Sequence, residues 1–358
     1  MAYIFIKGIG NISPQKTIDC NVFFDEIIKY PEVKYLKCIE PFYKKYLDPM
    51  TSRRMSRIVK MSLYAAKICL ENAEIENPDA IITGTGLGCA EDTETFLTSI
   101  IQNEEKLLNP SPFIQSTHNT ISAQISLLLK CHGYNYTYAH RGFSFESALL
   151  DCILMFNEKA ANSILIGGID EMTDNVYQIT NRLGHWKREN TDHLKILEYK
   201  TKGSIGGEGS AFFLLTNQPG KSNYARLSSV HTFYKPENTI IIQNEILTFL
   251  NKNNLKIEDI DVSILGLNGD KYFDEIYYEL VKNIFQNNFC AYFKHLCGEY
   301  HTASAFAIYV AANILKKQFI PDIIKFNNKP DRKIRNILIY NHYRNINHSL
   351  ILLQNAEL

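Results

Sequence analysis

The sequence predicts an α/β fold built twice over, in which a mostly buried sheet is covered by helices on both faces. Two observations carry this prediction. Short continuous apolar strands alternate with amphipathic helices, and the same grammar of strand, glycine-bearing turn and helix returns in the second part of the chain. The length of 358 residues, 45% of them hydrophobic, suits two halves, 1–220 and 221–358, packed as one body with a large core.

The opening MAYIFIKGIGNIS has the pattern of a strand. Met55, Ile58, Val59, Ser62, Ala66, Cys69 and Leu70 recur at helical spacing and predict a helix from Arg54 to Asn72. A polar stretch then leads into the strand AIITGTG from Ala80. Its counterpart is IIIQNEILTFL from Ile240, a polar turn, and the strand VSILGLNG from Val262. Downstream, SILIGGID from Ser163 pairs with NILIYNHY from Asn336, and SAFFLLTN from Ser210 with HSLILLQN from His348. The turn-and-helix units beginning at Tyr138 and Phe293 complete the order. Each match is weak alone, because short apolar strands resemble one another; four in the same order argue for duplication. Pro110 to Pro112 and Lys187 to Lys202 are expected to be loops, and Gln218 to Asn223 the junction.

Composition removes several function classes. Lys plus Arg (38) equals Asp plus Glu (38), which gives nucleic acid or an anionic membrane no global attraction. No apolar run approaches the length of a membrane span, the N-terminus has no signal-peptide pattern, and the eight cysteines form no C-x-x-C pair, so a reducing cytoplasm is expected. His295, Cys297 and His301 lack a fourth ligand and paired spacing, and predict structural roles rather than a metal site. Gly84, Gly86 and Gly88 have the wrong spacing for a phosphate loop and no following lysine.

GTGLG from Gly84, SPFIQSTHNTISAQISLLL from Ser111, YAHRGFSFESALL from Tyr138, ILIGGIDE from Ile164 and GGEGSAFFLL from Gly206 occur in an order that resembles the beta-ketoacyl synthase family of the thiolase fold. The resemblance spans nearly the whole chain. It implies a duplicated αβαβα five-layer sandwich, two-fold dimers, and condensation of an acyl chain with a malonyl unit on acyl carrier protein. No resident cofactor is implied, since phosphopantetheine arrives on the carrier protein. The family's nucleophile is a cysteine at the start of a buried helix, assisted by two histidines and an oxyanion hole.

Carried onto this chain, the resemblance finds every one of these parts altered. An ungapped count back from Gly167 and Gly168 puts the cysteine position at Gly142, and no cysteine lies between Cys131 and Cys152. The first histidine turn reads Asn268, Gly269, Asp270. The second reads Gly298, Glu299, Tyr300, His301, Thr302, where a glutamate would repel a malonyl carboxylate unless paired or protonated. The glycine-rich oxyanion turn corresponds to His342, Tyr343, Arg344 and Asn345. Losing a nucleophile or its base in a cooperative site costs on the order of a millionfold in rate.

Three readings follow. The first is a non-condensing partner subunit similar to the chain-length factors of type II polyketide systems, dimeric with itself or with an active ketosynthase, serving fatty acid, aryl polyene or polyketide assembly beside acyl carrier protein. The second is an acyltransferase or esterase with a replaced site. There Ser144 in the turn Gly142–Glu146 would be the nucleophile, and His140 or His301, oriented by Glu299 or Asp270, the base. Against it, a serine at a helix start is more often a cap, and Glu299 could instead bond backbone amides or pair with Arg141. The third is a binding protein for an acyl or aromatic ligand, suggested by 21 Tyr and 20 Phe, most of which belong to core packing.

Overall fold

The computed structural model describes residues 2–31, 33–53, 55–327 and 333–357. Its centre is a ten-stranded sheet. The strands are β1 (Ile4–Ile12), β2 (Ala80–Gly84), β3 (Tyr134–Tyr138), β4 (Ser163–Asp170) and β5 (Gly209–Thr216), followed by β6 (Ala225–Tyr234), β7 (Val262–Leu265), β8 (Phe289–Tyr292), β9 (Asn336–Tyr343) and β10 (Asn347–Gln354). Their spatial order is β8-β7-β9-β10-β6-β1-β5-β4-β2-β3.

The duplication expected from four weak matches is written in this order. Read outward from the middle, β1-β5-β4-β2-β3 and β6-β10-β9-β7-β8 are the same arrangement, with the same parallel and antiparallel pairings at each step. A short antiparallel contact, Ile4 to Ile6 on β1 against Ala225 to Leu227 on β6, joins the two sets. The segment 217–224 carries the chain from one to the other. β6 was not expected from the sequence, because the polar pairs Ser228–Ser229 and His231–Thr232 break both an apolar run and a clean alternation in ARLSSVHTFY.

Helices α1 (Arg57–Ala73), α2 (Ala90–Gln102), α3 (Thr120–Leu129), α4 (Ser144–Asn157) and α5 (Asp174–Arg182) belong to the first set. Helices α6 (Thr239–Lys252), α7 (Lys271–Asn283) and α8 (Ala303–Lys317) belong to the second. Strand periodicity decides which faces they cover. On β4, Ile164 and Ile166 join the apolar cluster around α4 and α8, while Leu165 and Ile169 join the cluster beneath α1 and α3. On β9, Ile337 and Ile339 face the shared cluster, and Leu338 and Tyr340 face the cluster beneath α6 and α7. The result is five layers, with α4 and α8 in the middle. Every residue of α8 from Ala303 to Leu315 is buried, as a helix that is apolar on nearly every side must be.

Two boundaries differ from expectation. The helix expected from Arg54 begins at Arg57 behind the N-cap Ser56, and Arg54 itself lies outside the described residues. Pro110 to Pro112 open a short helix, Pro110–Gln115, capped by the Asn109 side chain; proline suits a first helical turn, whose N–H has no partner to lose. Among the described residues no helix is long and apolar enough to cross a membrane.

Candidate functional site

Four turns meet at the N-terminal ends of the central helices α4 and α8: the elbow His140–Ser144, the turn 267–270 after β7, the turn 298–302 before α8, and the hairpin Tyr343–Ile346 between β9 and β10. Close packing brings them there. A Cβ on Gly84 would lie 2.5 Å from the Ser144 carbonyl, and one on Gly168 would lie 2.6 Å from Ala305 Cβ; bare glycine backbone lets both helices sit directly on the sheet.

Gly142 is buried in the elbow, behind Arg141, which holds a left-handed φ of +49°. A Cβ built on Gly142 would stand 2.7 Å from Tyr343 Cβ and 3.0 Å from Asn347 Oδ1. The hairpin therefore occupies the space in which a nucleophile would project. Arg344 and Asn345 take φ of +54° and +53°, closing a turn in which the Ile346 N–H donates to the Tyr343 carbonyl. Two positive φ values in succession favour glycine; here the backbone is of the glycine kind but carries side chains. The Tyr343 ring lies 4.6 Å from that of His301, and the Arg344 guanidinium sits over the Phe273 ring.

Asn268 and Glu299, the two altered histidine positions, touch. Asn268 Nδ2 donates to Glu299 Oε2 at 2.6 Å. The same oxygen accepts from Lys294 Nζ at 2.7 Å, and the lysine and glutamate side chains are 1% and 5% exposed. Of the alternatives for Glu299, repulsion of a malonyl carboxylate or pairing with Arg141, the structure shows a paired anion but corrects the partner: Lys294, five residues earlier, neutralises it, and Arg141 is exposed. Glu299's main chain is also pinned, its N–H donating to the Ile205 carbonyl and its carbonyl accepting from Gly207. Glu299 Oε1 has no partner among the described residues.

Asp270 is engaged in shaping its turn. Its carboxylate accepts from the N–H groups of Tyr272 and Gly203, capping α7 and tying in the 185–204 segment. Asp274 accepts from the N–H groups of Asn268 and Gly269, and burial pushes its carboxyl up to about 7. Lys187 Nζ donates to the Gly269 carbonyl and to Thr201. Asp170 ties the halves together, accepting from the Gly86 N–H through one oxygen and from Thr302 N–H and Oγ1 through the other.

The residues considered for a replacement site are not brought together as one. Ser144 Oγ is buried, accepts from the His140 N–H and donates to the Arg141 carbonyl, both at 2.8 Å. The His140 ring is exposed and stacks on Phe143. His301 packs on Tyr343 and under Gly86, and burial lowers its pKa. His295 Nε2 lies 3.0 Å from the Ile323 carbonyl, and the Cys297 thiol donates to the Gly298 carbonyl, with burial holding that thiol well above its ordinary pKa.

The space left between these groups is a cavity of about 10 Å³, lined by His185, Trp186, Asn268, Glu299, Tyr343 and Arg344 among others. That is room for about one water, against roughly 300 to 1,000 Å³ for a small-molecule pocket. That cavity has no room for an acyl or malonyl group. Sequence reasoning missed Lys294, Tyr343 as a plug, and Trp186. Lys294 had a signal, as the one charge in the apolar run FKHLC.

Residues 37–186 match the family model for the beta-ketoacyl synthase N-terminal domain. No curated protein sequence matches the chain. Among solved structures, the ishigamide ketosynthase/chain length factor superposes with a TM-score of 0.80 at 15% identity, over 99% of both chains. A beta-ketoacyl synthase from Burkholderia phymatum STM815 gives 0.78 at 12% identity, over 99% of this chain and 100% of that one. A type II polyketide-synthase acyl-carrier protein in complex with its ketosynthase bound to the hexaketide gives 0.73 at 14% identity, over 99% of both chains. The chain thus has the thiolase-like fold of these ketosynthase structures over its whole length, and its residues 37–186 are similar to the beta-ketoacyl synthase N-terminal domain.

Proposed function

We propose that this protein is a non-condensing, ketosynthase-like subunit, comparable to a chain-length factor, that works in the cytoplasm beside acyl carrier protein and an active ketosynthase in fatty acid, aryl polyene or polyketide assembly. The single observation that carries the reading is the sealed elbow: glycine at the nucleophile position, with Tyr343 and Asn347 filling the space in front of it. A missing thiol alone could be a substitution awaiting compensation; a filled site has no place for the intermediate. Phosphopantetheine would reach the assembly on the carrier protein, and the 10 Å³ cavity has no room for it here.

Support for a partner subunit comes from the outer edge of the sheet. Strand β3 ends the ten-stranded order and leaves one side of its ladder open. Tyr134 and Tyr136 on it are 41% and 50% exposed and stack on each other. Exposed Leu127 lies on α3, which packs against this strand, and exposed Leu97, Ile101, Phe113 and Ile114 lie on two helices, α2 and Pro110–Gln115, that pack on each other. An open edge beside apolar side chains is a surface a soluble protein usually covers, and a homologous ketosynthase with the same fold is the occupant that fits.

The test has two arms. Intact mass is measured after incubation with carrier proteins bearing acyl chains of several lengths, with Ser144→Ala in parallel. Co-expression with candidate ketosynthases is followed by size and mass determination of the complex. No adduct together with a stable one-to-one complex is expected. A covalent acyl adduct that disappears in Ser144→Ala would refute the non-condensing reading.

A further inference from the structure

Five cationic side chains converge at the end of the fold opposite the sealed elbow. Lys221 comes from the segment joining the two sets of strands, Arg226 from the start of β6, Lys316 from the last turn of α8, and Lys333 and Arg335 from the approach to β9. They line two adjoining cavities of about 410 and 330 Å³ that share Lys333, Asn355 and Glu357. The length of α8, about 22 Å at 1.5 Å per residue, separates this basin from the elbow. Because the chain carries 38 basic and 38 acidic residues, the concentration is local.

The cations are arranged rather than scattered. Lys316 Nζ is fixed by the carbonyls of Lys221 and Asn223, at 2.6 and 3.3 Å, and lies 5.9 Å from the centre of the Tyr224 ring, which walls the cavity. Lys221 and Arg335 have no side-chain hydrogen-bond partner among the described residues. Among the described residues, Glu357 is the one carboxylate lining either cavity. Its Oε2 accepts from Lys333 Nζ at 2.9 Å, and the Lys333 bond, reinforced by Lys221 and Lys316, holds its carboxyl below the usual range. One carboxylate thus stands among five cations, as an anion bound from within the chain.

We propose that this basin binds a small phosphate-rich ligand, an inorganic or nucleoside polyphosphate, for which Glu357 is the intramolecular stand-in and competitor. Five cations against one carboxylate leave an excess that a single further charge does not balance, and a diphosphate or triphosphate does. Lysine and arginine donors suit phosphate oxygens. The volume of about 410 Å³ falls in the range of small-molecule sites.

Calorimetric titration of the full chain with pyrophosphate and with ADP, at low and moderate salt, tests this. Both are expected to bind, more weakly as salt rises. Glu357→Gln should tighten binding several-fold by removing the competitor, and Lys221→Ala/Arg335→Ala should weaken it by about tenfold or more. Equal affinity for the two probes would assign recognition to the phosphates alone, whereas tighter ADP would add the nucleoside, with Tyr224→Leu expected to remove the difference. Circular dichroism checks that each variant folds. Absence of binding up to about 1 mM in both the natural chain and Glu357→Gln would overturn the proposal, as would affinities indifferent to these substitutions. Capture of acyl carrier protein that needs Lys221 but is not displaced by pyrophosphate would overturn it in favour of a protein partner.

Discussion

Replacing Lys294 by methionine should be among the most damaging single substitutions in this protein, although it touches neither a nucleophile nor a substrate. The ammonium is 1% exposed and bonds a carboxylate that is itself 5% exposed. Methionine matches much of the volume but leaves Glu299 charged, buried, and bonded only to Asn268. Removing one partner of a buried ion pair typically costs about 3–5 kcal/mol, because the other charge stays uncompensated. At roughly 2.1 cal/mol/K per residue, 358 residues give an unfolding entropy of about 0.75 kcal/mol/K. The melting temperature should therefore fall by about 4–7 °C. Adding Glu299→Gln removes the stranded charge while keeping an acceptor for Asn268 Nδ2, and the double variant should recover at least half of the loss. Calorimetry or denaturant unfolding of the four-member cycle reads this directly. A loss below about 1 kcal/mol in Lys294→Met, or no recovery in the double variant, would show that water or rearrangement already compensates Glu299 and would refute the argument.

Gly142→Cys should destabilise the fold by about 1–3 kcal/mol through overpacking against Tyr343 and Asn347, and its thiol should resist alkylation; adding Tyr343→Gly should relieve the strain and expose the thiol to iodoacetamide. Arg344→Gly and Asn345→Gly should each leave stability unchanged or slightly raised, since both residues hold a positive φ; a loss above about 1 kcal/mol for Arg344→Gly would mean that its contact with Phe273 outweighs the backbone strain. Burial lowers the pKa of His348 to about 4, so the ring stays neutral in the native protein and charges more readily in the unfolded chain. Its contribution is complete above the unfolded value near 6.5 and is lost as pH falls toward 4, by about 3 kcal/mol at most; His348→Phe should flatten that part of the stability profile relative to the natural chain.

The fold was legible because it depends on repetition and periodicity. The strands SILIGGID and NILIYNHY divide their apolar residues between two layers at a spacing of two, and that division survives any substitution that stays apolar. Strand β6 was not legible, since Ser228, Ser229, His231 and Thr232 leave it without an apolar run on either face. The altered positions Gly142, Asn268 and Glu299 could be placed by counting along turns. Their consequences could not, because they depend on contacts between residues far apart in sequence: Gly142 with Tyr343, and Asn268 with Glu299. A buried lysine is the hardest case, since lysine is almost never fully buried unless paired, and its partner Glu299 had been given a different role.

These contacts also argue that condensing chemistry is not one substitution away. A cysteine at Gly142 meets Tyr343. Removing Tyr343 opens space beside a lysine already committed to Glu299. A histidine at position 299 would give up that ion pair and leave Lys294 buried beside the Asn268 amide, with the carbonyl of His342 3.5 Å away. Each reversal removes a contact that the other altered residues use, so the single revertants should lose stability without gaining turnover. A route to activity needs a combined change of Gly142, Tyr343, Asn268 and Glu299. If Gly142→Cys alone took up an acyl chain from a carrier protein, the hairpin must open readily in solution, and the sealed elbow would be a closed state of a working site rather than its replacement.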